Sequence, residues 1–305
     1  MSRIHEALKK AAQERSSRLS SGTSPEFLDV STDVSRTTVP AEDRAAPLLV
    51  DLPPKRDSSF LSFEELVKKC TRPQWQPDSR NNVFDGASSD QIGAESFRTL
   101  RSRLYQIAGT RQLKKILVTS SIPEEGKTFV AANLAQSLAQ QDHSRVLLID
   151  ADLRVSRMHQ VLGAPATPGL ADYLRGQADE CAVIQRGHEG NLCFIPGGSP
   201  VSNPSELLLG ARMKHLLERV TPVFDWIVLD SPPALPVHDA SLIADLCDGV
   251  LFVVRAGATD FEIAGKASSE FRDKNLLGVI LNRAERNESY GGYYYGYPAA
   301  GKDKT

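Results

Sequence analysis

One short segment, SIPEEGKT at residues 121–128, holds the residue types that bind a phosphate chain. The Walker A pattern is G-x-x-x-x-G-K-[ST]; Ser121 replaces its first glycine here, while Gly126, Lys127 and Thr128 match it. Backbone N–H groups at a helix start point at phosphates, the lysine reaches the β and γ oxygens, and the threonine hydroxyl binds Mg²⁺. The segment therefore predicts a nucleotide site, and the alternative is a helix start that carries GKT by coincidence.

Two further segments place aspartates directly after apolar runs. VLLIDADLR contains Asp150 and Asp152, and WIVLDSPP contains Asp230. Residues two apart in an extended segment point the same way, so Asp150 and Asp152 can converge on one site. Each alone would more often be a loop carboxylate or a helix cap. Together with the phosphate loop they predict Mg²⁺ ligands in a nucleotide hydrolase or phosphotransferase.

The elements that must position these residues begin at about residue 92. Continuous Val, Ile and Leu runs are typical of strands buried on both faces, and helices between them imply parallel crossovers. We predict a doubly wound, mostly parallel α/β domain, whose ligands bind at the carboxyl ends of the strands. The segments are ILVTSS, KTFVAANLAQSLAQQ, RVLLIDAD, NLCFIPG, ELLLGARMKHLLERV, DWIVLDSPP, GVLFVVRAG and LLGVILN.

The remainder of the chain divides by composition. Residues 1–15 form an amphipathic helix pattern, which is either a docking segment or a frayed terminal helix. Residues 16–90 are rich in Ser, Pro, Asp, Thr and Arg and predict a mostly disordered linker, with one short helix candidate, SFEELVKK. Residues 91–286 hold the predicted P-loop domain, and residues 287–305 form a tail.

Composition narrows the function classes. The chain has 305 residues, a formal net charge of -2 and no basic stripe, so we expect no nucleic-acid partner. The longest apolar run, GVLFVV, is far shorter than the roughly 20 residues of a membrane-spanning helix, and no signal-peptide pattern opens the chain, so we expect a cytoplasmic protein. The four cysteines show no C-x-x-C pair and are interpreted as reduced thiols.

Five of the seven tyrosines lie within eight residues of the tail, in SYGGYYYGYP. Glycine gives such a segment the freedom to reach a distant site, and each phosphorylated tyrosine would add about -1.5 to -2 charge. The tail is therefore a candidate set of acceptors, and the alternative is a low-complexity segment that only adheres. The residues are Tyr290, Tyr293, Tyr294, Tyr295 and Tyr297.

Taken in order, these motifs resemble the bacterial tyrosine kinases that regulate capsular and exopolysaccharide export, which are similar in fold to the partition and division-site ATPases. The resemblance runs from Glu95 to Tyr297. It rests on the serine-initiated Walker A variant, DADLR, SNPSELL at 202–208, DSPP at 230–233, VHDA at 237–240, DGVLFVVRAG, LGVILN and the tyrosine cluster.

The resemblance implies a protein-tyrosine autokinase that uses ATP and Mg²⁺. Lys127 would bind phosphate, and Asp152 would accept the proton of the tyrosine hydroxyl. The metal would be held by Thr128, Asp150 and Asp230. The nucleotide would also contact Ser121, Glu125, Gly126, Phe129 and, by similarity to the wider ATPase class, Asn282 at its base.

The resemblance also implies partners. ESFRTLR matches the family's E-x-x-R-x-x-R segment, so Glu95, Arg98 and Arg101 would line the subunit interface of a homo-oligomeric ring in which one subunit's tail enters the neighbour's site. Without the family, the same residues are a solvated helix face with local ion pairs. A transmembrane polysaccharide co-polymerase would activate the kinase at the inner face of the membrane, and a cognate tyrosine phosphatase would reverse it.

Two alternatives stay open. One is a non-kinase ATPase switch of the partition type, a class that generally carries a second lysine where Ile122 stands here. The other is an adaptor with a degenerate nucleotide site. Glu124 stands where the family usually has glycine, and it is expected to weaken nucleotide binding or distort the turn.

Overall fold

A computed structural model describes residues 62–84, 91–187 and 191–284. Within these ranges, seven strands form one sheet in the order β3-β4-β2-β5-β1-β6-β7. All neighbouring pairs are parallel except β3 with β4. The doubly wound, mostly parallel architecture is confirmed. The strands are β1 (Lys115–Ser120), β2 (Val146–Asp150), β3 (Gln185–Arg186), β4 (Leu192–Ile195), β5 (Trp226–Asp230), β6 (Gly249–Arg255) and β7 (Leu276–Asn282).

The helices that cover this sheet follow the predicted alternation. The segment ELLLGARMKHLLERV forms two helices, because Gly210 between them takes an extended backbone with ψ 153°. The helices are α1 (Phe63–Lys69), α2 (Gln91–Ala108), α3 (Lys127–Ala139), α4 (Met158–Leu162), α5 (Leu170–Leu174), α6 (Glu180–Val183), α7 (Pro204–Leu209), α8 (Ala211–Val220), α9 (Asp239–Ala244) and α10 (Phe261–Ser269). Short 3₁₀ turns occur at Ser79–Asn81 and Arg272–Lys274.

Strands β1, β2, β4 and β5 are buried on both faces, as their continuous apolar sequences predict. The prediction is wrong for LLGVILN, because β7 lies at the edge of the sheet and exposes Val279 and Leu281. On β2, Leu147 and Ile149 pack into the cluster on one face, and Val146 and Leu148 pack into the cluster on the other. This double burial fixes the strand register, and the register pairs the last residue of β2 with the last residue of β5, Asp150 with Asp230. The fold therefore brings together two carboxylates that are 80 positions apart.

Residues 62–84, which we call the strap, pack onto the domain, and the predicted linker is wrong for this stretch. The predicted short helix is present as α1, with a capping box between Ser62 and Glu65. Leu66 is only 2% exposed and joins the apolar cluster on one face of the sheet. Trp75 packs edge-on against Phe194 on the other face, with ring centroids 6.0 Å apart. The apolar residues of the strap follow no helical or strand period, and they pack at separate places on the domain.

The strap passes from one face to the other around the β3 edge of the sheet. Thr71 forms an isolated parallel bridge with Gln185 of β3. Farther along, Gln76 N donates to Gly163 O at 3.2 Å, and a Cβ at Gly163 would lie 1.9 Å from Gln76 O. The strap ends on the phosphate-loop helix α3, where Val83 N donates to Asn133 Oδ1 at 2.9 Å. An edge strand that would otherwise expose backbone groups is covered in this way.

All four cysteines are free, and burial raises the pKa of Cys70 and Cys193 to about 12, so these thiols stay protonated. No helix in the described ranges has the length and apolar character needed to cross a bilayer. The predicted helix at 1–15 and the tyrosine tail lie outside the described residues.

Leu66→Ala tests whether the strap belongs to the folded domain. Removing a side chain that is 2% exposed should lower the free energy of unfolding by about 2–4 kcal/mol, because a cavity replaces its contacts. Glu64→Ala, on the exposed side of the same helix, should change it by less than about 0.5 kcal/mol. Chemical denaturation of the full chain measures both, and equal effects of the two variants would contradict the packing.

Candidate active site

The phosphate loop joins β1 to α3 at the carboxyl edge of the sheet, between Ser120 and Lys127. Its last residue, Gly126, has φ 93°, a left-handed conformation that favours glycine. A Cβ at this position would lie 2.0 Å from Asn282 Nδ2, so the close approach of β7 also requires glycine. The first N–H groups of α3 have no acceptor within the helix and are the donors that a phosphate chain would use.

Glu125 is a buried carboxylate, 2% exposed, that holds the shape of the loop. It accepts hydrogen bonds from Ile122 N at 2.8 Å and from Thr259 Oγ1 at 2.6 Å. Thr259 lies after β6 and was not among the predicted residues, since 134 positions separate it from Glu125. The Glu125 side chain thus ties the phosphate loop to the neighbouring strand, which leaves its backbone as the group that can face a nucleotide.

Asn282 supports the same loop from the end of β7. Its side-chain Nδ2 donates to Glu125 O at 2.8 Å, and its Oδ1 accepts from Arg283 N at 2.9 Å. Both ends of the carboxamide are therefore engaged in this state. The contact with a nucleotide base stays a prediction, and the structure adds a role for Asn282 in shaping the phosphate loop.

Lys127 and Asp152 form an ion pair with 3.1 Å between Nζ and Oδ2, and their side chains are 15% and 5% exposed. Burial alone would lower the lysine pKa. The carboxylates of Asp230, Asp152 and Asp150 outweigh burial and raise the pKa of Lys127, so the ammonium stays charged. The predicted phosphate-binding lysine and the predicted base are thus in direct contact.

Thr128 and Asp230 form the second contact of the site. Thr128 Oγ1 donates to Asp230 Oδ2 at 2.7 Å. The other carboxylate oxygen, Asp230 Oδ1, is buried without a hydrogen-bond partner. A buried oxygen without a partner is costly, and coordination to a cation would satisfy it. The Thr128 hydroxyl and the Asp230 carboxylate therefore fit the donor set of a Mg²⁺ ion.

Asp150 lies fully buried next to Asp230. It accepts hydrogen bonds from Ser156 Oγ at 2.6 Å and from Met158 N at 3.2 Å. Burial, with the charge of Asp230, raises the pKa of Asp150 to about 7, and burial raises the pKa of Asp230 to about 6. The described residues contain no group of three or more His, Cys, Asp or Glu side chains that forms a ready metal cage. Mg²⁺ usually takes one or two carboxylates together with water and phosphate oxygens.

The other residues of the phosphate loop and the start of α3 that the sequence analysis named lie in different environments. The Ser121 hydroxyl is buried and without a partner, at the position of the first Walker A glycine. The Phe129 ring packs against Phe97 of α2, with centroids 6.0 Å apart, so its predicted contact with the nucleotide is left to its backbone. Glu124 is exposed and has φ 68°, an unfavourable conformation for a residue with a Cβ. The glycine expected at that position would adopt it without strain.

The residues predicted for a subunit interface lie on α2. Glu95 and Arg98 are exposed and form an ion pair at 3.2 Å, which agrees with a solvated face and leaves the interface a prediction. Arg101 Nη1 donates to Ser137 O of α3 at 2.6 Å. Arg101 therefore joins two helices of its own subunit, a contact that the i, i+3 spacing did not indicate.

A family model for the CobQ/CobB/MinD/ParA nucleotide-binding domain matches residues 116–295. The chain is 34% identical over 221 residues to "Tyrosine-protein kinase YwqD" of Bacillus subtilis, a match that covers 71% of this chain and 92% of that protein. It is 36% identical over 204 residues to "Tyrosine-protein kinase CpsD" of Streptococcus agalactiae, covering 65% and 87%. Against "Tyrosine-protein kinase wzc" of Salmonella typhimurium, 34% identity covers 69% of this chain but only 30% of that protein.

Two solved structures also align with more than two thirds of this chain. The kinase domain of Escherichia coli tyrosine kinase ETK aligns with a TM-score of 0.62 and 33% identity, over 71% of this chain and 84% of that one. The chimerical protein CapA2B2 aligns with a TM-score of 0.64 and 26% identity, over 74% of this chain and 100% of that one.

Glu124→Gly and Glu124→Gln separate the two effects of this residue. Both remove a carboxylate beside the phosphate loop and should lower the Kd for ATP by about 2–5-fold, as expected for an exposed like-charge interaction. Only the glycine variant should raise the free energy of unfolding, by about 0.5–1 kcal/mol, because only it relieves the positive φ. Titration calorimetry and chemical denaturation measure these changes. An unchanged Kd in both variants would show that the carboxylate does not face the phosphates.

Binding of Mg²⁺-ATP should depend on pH through Asp150. A carboxyl whose pKa lies at about 7 is mostly protonated at pH 6, and a protonated carboxyl is a poor metal ligand. The Kd should therefore rise about tenfold from pH 8 to pH 6, and binding at pH 7 should release protons. Calorimetry in buffers of different ionisation enthalpy counts these protons. Proton uptake, or a Kd that does not change with pH, would contradict this account of the metal site.

Proposed function

The chain belongs to the CobQ/CobB/MinD/ParA nucleotide-binding family and, within it, to the bacterial tyrosine-protein kinases, and on this premise we propose that it is an ATP-dependent autokinase whose acceptors are its own tail tyrosines. The observation that carries the proposal is the contact between Lys127 and Asp152 at the carboxyl edge of the sheet. A phosphate-binding cation and a proton acceptor stand side by side there, as transfer to a hydroxyl requires.

In the proposed reaction, the tyrosine oxygen bonds to the γ-phosphorus of ATP, and the bond from that phosphorus to the β–γ bridging oxygen breaks, which leaves ADP. Asp152 accepts the hydroxyl proton. Lys127 neutralises the phosphate oxygens, and it is released from its contact with Asp152 as they bind. The 5% exposure of the Asp152 side chain keeps this proton transfer away from bulk water.

We propose that Thr128, Asp230 and Asp150 hold Mg²⁺, directly or through water. The buried, unpartnered Asp230 Oδ1 supports this assignment. The ion would supply neutralisation of the charge on the phosphate oxygens. The residues themselves orient the site: Asp230 fixes the Thr128 hydroxyl, and Asp150 is held by the Ser156 hydroxyl and the Met158 N–H.

The acceptor segment is proposed to be residues 287–305, acting between subunits. It follows β7, whose last residue, Asn282, contacts the phosphate loop of the same subunit. The eight positions from Asn282 to Tyr290 span at most about 29 Å when extended, which limits how far Tyr290 can lie from the end of β7.

The kinase domain is proposed to comprise residues 91–286 together with the strap. Glu95 and Arg98 offer an exposed charged pair for a ring interface.

We further propose a role in exopolysaccharide or capsule production, at the inner face of the membrane. One relative carries a name from polysaccharide production, "Succinoglycan biosynthesis transport protein ExoP" of Rhizobium meliloti, which is 34% identical over 200 residues. This chain covers 25% of that protein. A transmembrane co-polymerase that activates the kinase and a tyrosine phosphatase that resets it are proposed as partners.

Purified full-length chain incubated with Mg²⁺-ATP should acquire phosphate on one or more of the tail tyrosines between Tyr290 and Tyr297. Lys127→Met should reduce this by at least about 100-fold, because the phosphate charge is no longer neutralised. Mass spectrometry of the tail peptides provides the measurement, with the cytoplasmic segment of the candidate activator present in one arm.

Arg175→Ala serves as the matched control, since it removes an exposed cation whose contact is the Pro200 carbonyl. Its phosphorylation should equal that of the wild type. ATP hydrolysis with an unmodified tail, even with the activator present, would instead support the partition-type ATPase switch.

A further inference from the structure

Three motifs meet at one point of the structure through side chains that the proposed reaction does not use. They are DADLR after β2, SNPSELL at the start of α7, and VHDA at the start of α9. Each contributes one polar side chain, Arg154, Ser205 and Asp239 respectively. Ser205 and Asp239 lie 51 and 85 positions after Arg154, so the sequence did not indicate that the three side chains interact.

The three side chains form a closed hydrogen-bonded network. Arg154 Nε donates to Asp239 Oδ2 at 2.7 Å, and Arg154 Nη2 donates to Asp239 Oδ1 at 3.2 Å. Ser205 Oγ donates to Asp239 Oδ1 at 2.6 Å and accepts from Arg154 Nη2 at 2.9 Å. The Asp239 side chain is 1% exposed, and that of Arg154 is 37% exposed. A buried carboxylate thus holds one edge of the planar guanidinium in a fixed orientation.

This network reaches the reaction site through one residue. Val155, the neighbour of Arg154, donates its backbone N–H to Asp152 Oδ1 at 3.0 Å. The other oxygen of the same carboxylate, Oδ2, contacts Lys127 Nζ at 3.1 Å. Asp152 is therefore oriented from two sides, by the lysine of the phosphate loop and by the backbone that follows Arg154. Because Val155 directly follows Arg154, holding the Arg154 side chain in place also restrains the backbone N–H that contacts Asp152.

We propose that Arg154 is a positioning residue for phosphotransfer: clamped by Asp239 and Ser205, it fixes the backbone that orients the Asp152 carboxylate. This inference rests on the proposed role of Asp152 as the proton acceptor. Because Arg154 Nε and Nη2 are occupied by Asp239 and Ser205, the proposed role of Arg154 is to hold the loop and not to bind ATP. Displacement of a reacting group by about 1 Å can cost about 100-fold in rate, and the clamp prevents such displacement.

The first experiment compares Arg154→Ala with Arg157→Ala in the full-length chain. Arg157 is an exposed arginine of the same loop, so its replacement removes the same charge without breaking the clamp. Arg154→Ala should lower kcat for tail phosphorylation by about 10–100-fold and leave the KM for ATP within about twofold. Arg157→Ala should match the wild type in both. A raised KM for ATP with unchanged kcat would identify Arg154 as a phosphate ligand and overturn the proposal.

Chemical rescue of kcat distinguishes a positioning role of Arg154 from a role in stability alone. Guanidinium ion at millimolar concentration should restore part of the kcat of Arg154→Ala and have no effect on Arg157→Ala. Arg154→Lys should recover less than full kcat, because an ammonium cannot form the two-pronged contact with Asp239. Full recovery with lysine would show that charge alone is needed, which contradicts the clamp.

Arg154→Ala leaves the buried Asp239 carboxylate without its cation, so we expect the variant to lose stability. The double variant Arg154→Ala/Asp239→Ala removes both charges and carries the test in that case. It should unfold at the same temperature as the wild type within a few degrees and still show the loss of kcat. Wild-type kcat in a folded double variant would overturn the proposal.

Ser205→Ala removes a single hydroxyl of the clamp and should lower kcat by about 2–5-fold. The proposed function fails separately from this inference. A wild-type chain that forms no phosphotyrosine would contradict the autokinase itself, whereas an active wild type with fully active Arg154 variants would contradict only the clamp.

Discussion

The balance of buried charge at the carboxyl edge of the sheet constrains the rest of the molecule. As whole residues, Asp150, Asp152 and Asp230 are each at most 4% exposed. The positive charge among them is that of Lys127, which forms an ion pair with Asp152. Burial of three carboxylates is unfavourable unless hydrogen bonds and positive charge offset it, which is why the pKa values of Asp150 and Asp230 are raised. The phosphates of ATP add further negative charge, so a divalent cation is the natural complement of this site.

The elements around the site keep these charges in place from two directions. On one side, β7 and the loop after β6 hold the phosphate loop, through Asn282 on Glu125 O and Thr259 on the Glu125 carboxylate. On the other side, the starts of α7 and α9 hold the loop that follows β2, through Ser205 and Asp239 on Arg154. The reacting groups thus lie between two supports that belong to different parts of the chain. Their hydrogen bonds offset part of the unfavourable burial of the carboxylates.

Local sequence was enough to predict the sheet and the groups at its edge. Aspartates that directly follow apolar strands, such as Asp150 and Asp230, must lie at the carboxyl end, and the sheet order makes them neighbours. The supports were beyond sequence reasoning, because Glu125 and Thr259 are 134 positions apart and no pattern links them. The strap was missed for another reason: its apolar residues are isolated and aperiodic, so they resembled a linker although Leu66 and Trp75 pack onto opposite faces of the sheet.

The central claim is that the site of one copy phosphorylates the tail of another, and a mixing experiment tests it most directly. One chain carries Lys127→Met and an intact tail; the other carries an intact site and phenylalanine at all five tail tyrosines. Neither should form tail phosphotyrosine alone with Mg²⁺-ATP. We expect the mixture to form tail phosphotyrosine on the Lys127→Met chain. An unmodified tail in the mixture, under conditions where the wild type is phosphorylated, would contradict transfer between copies.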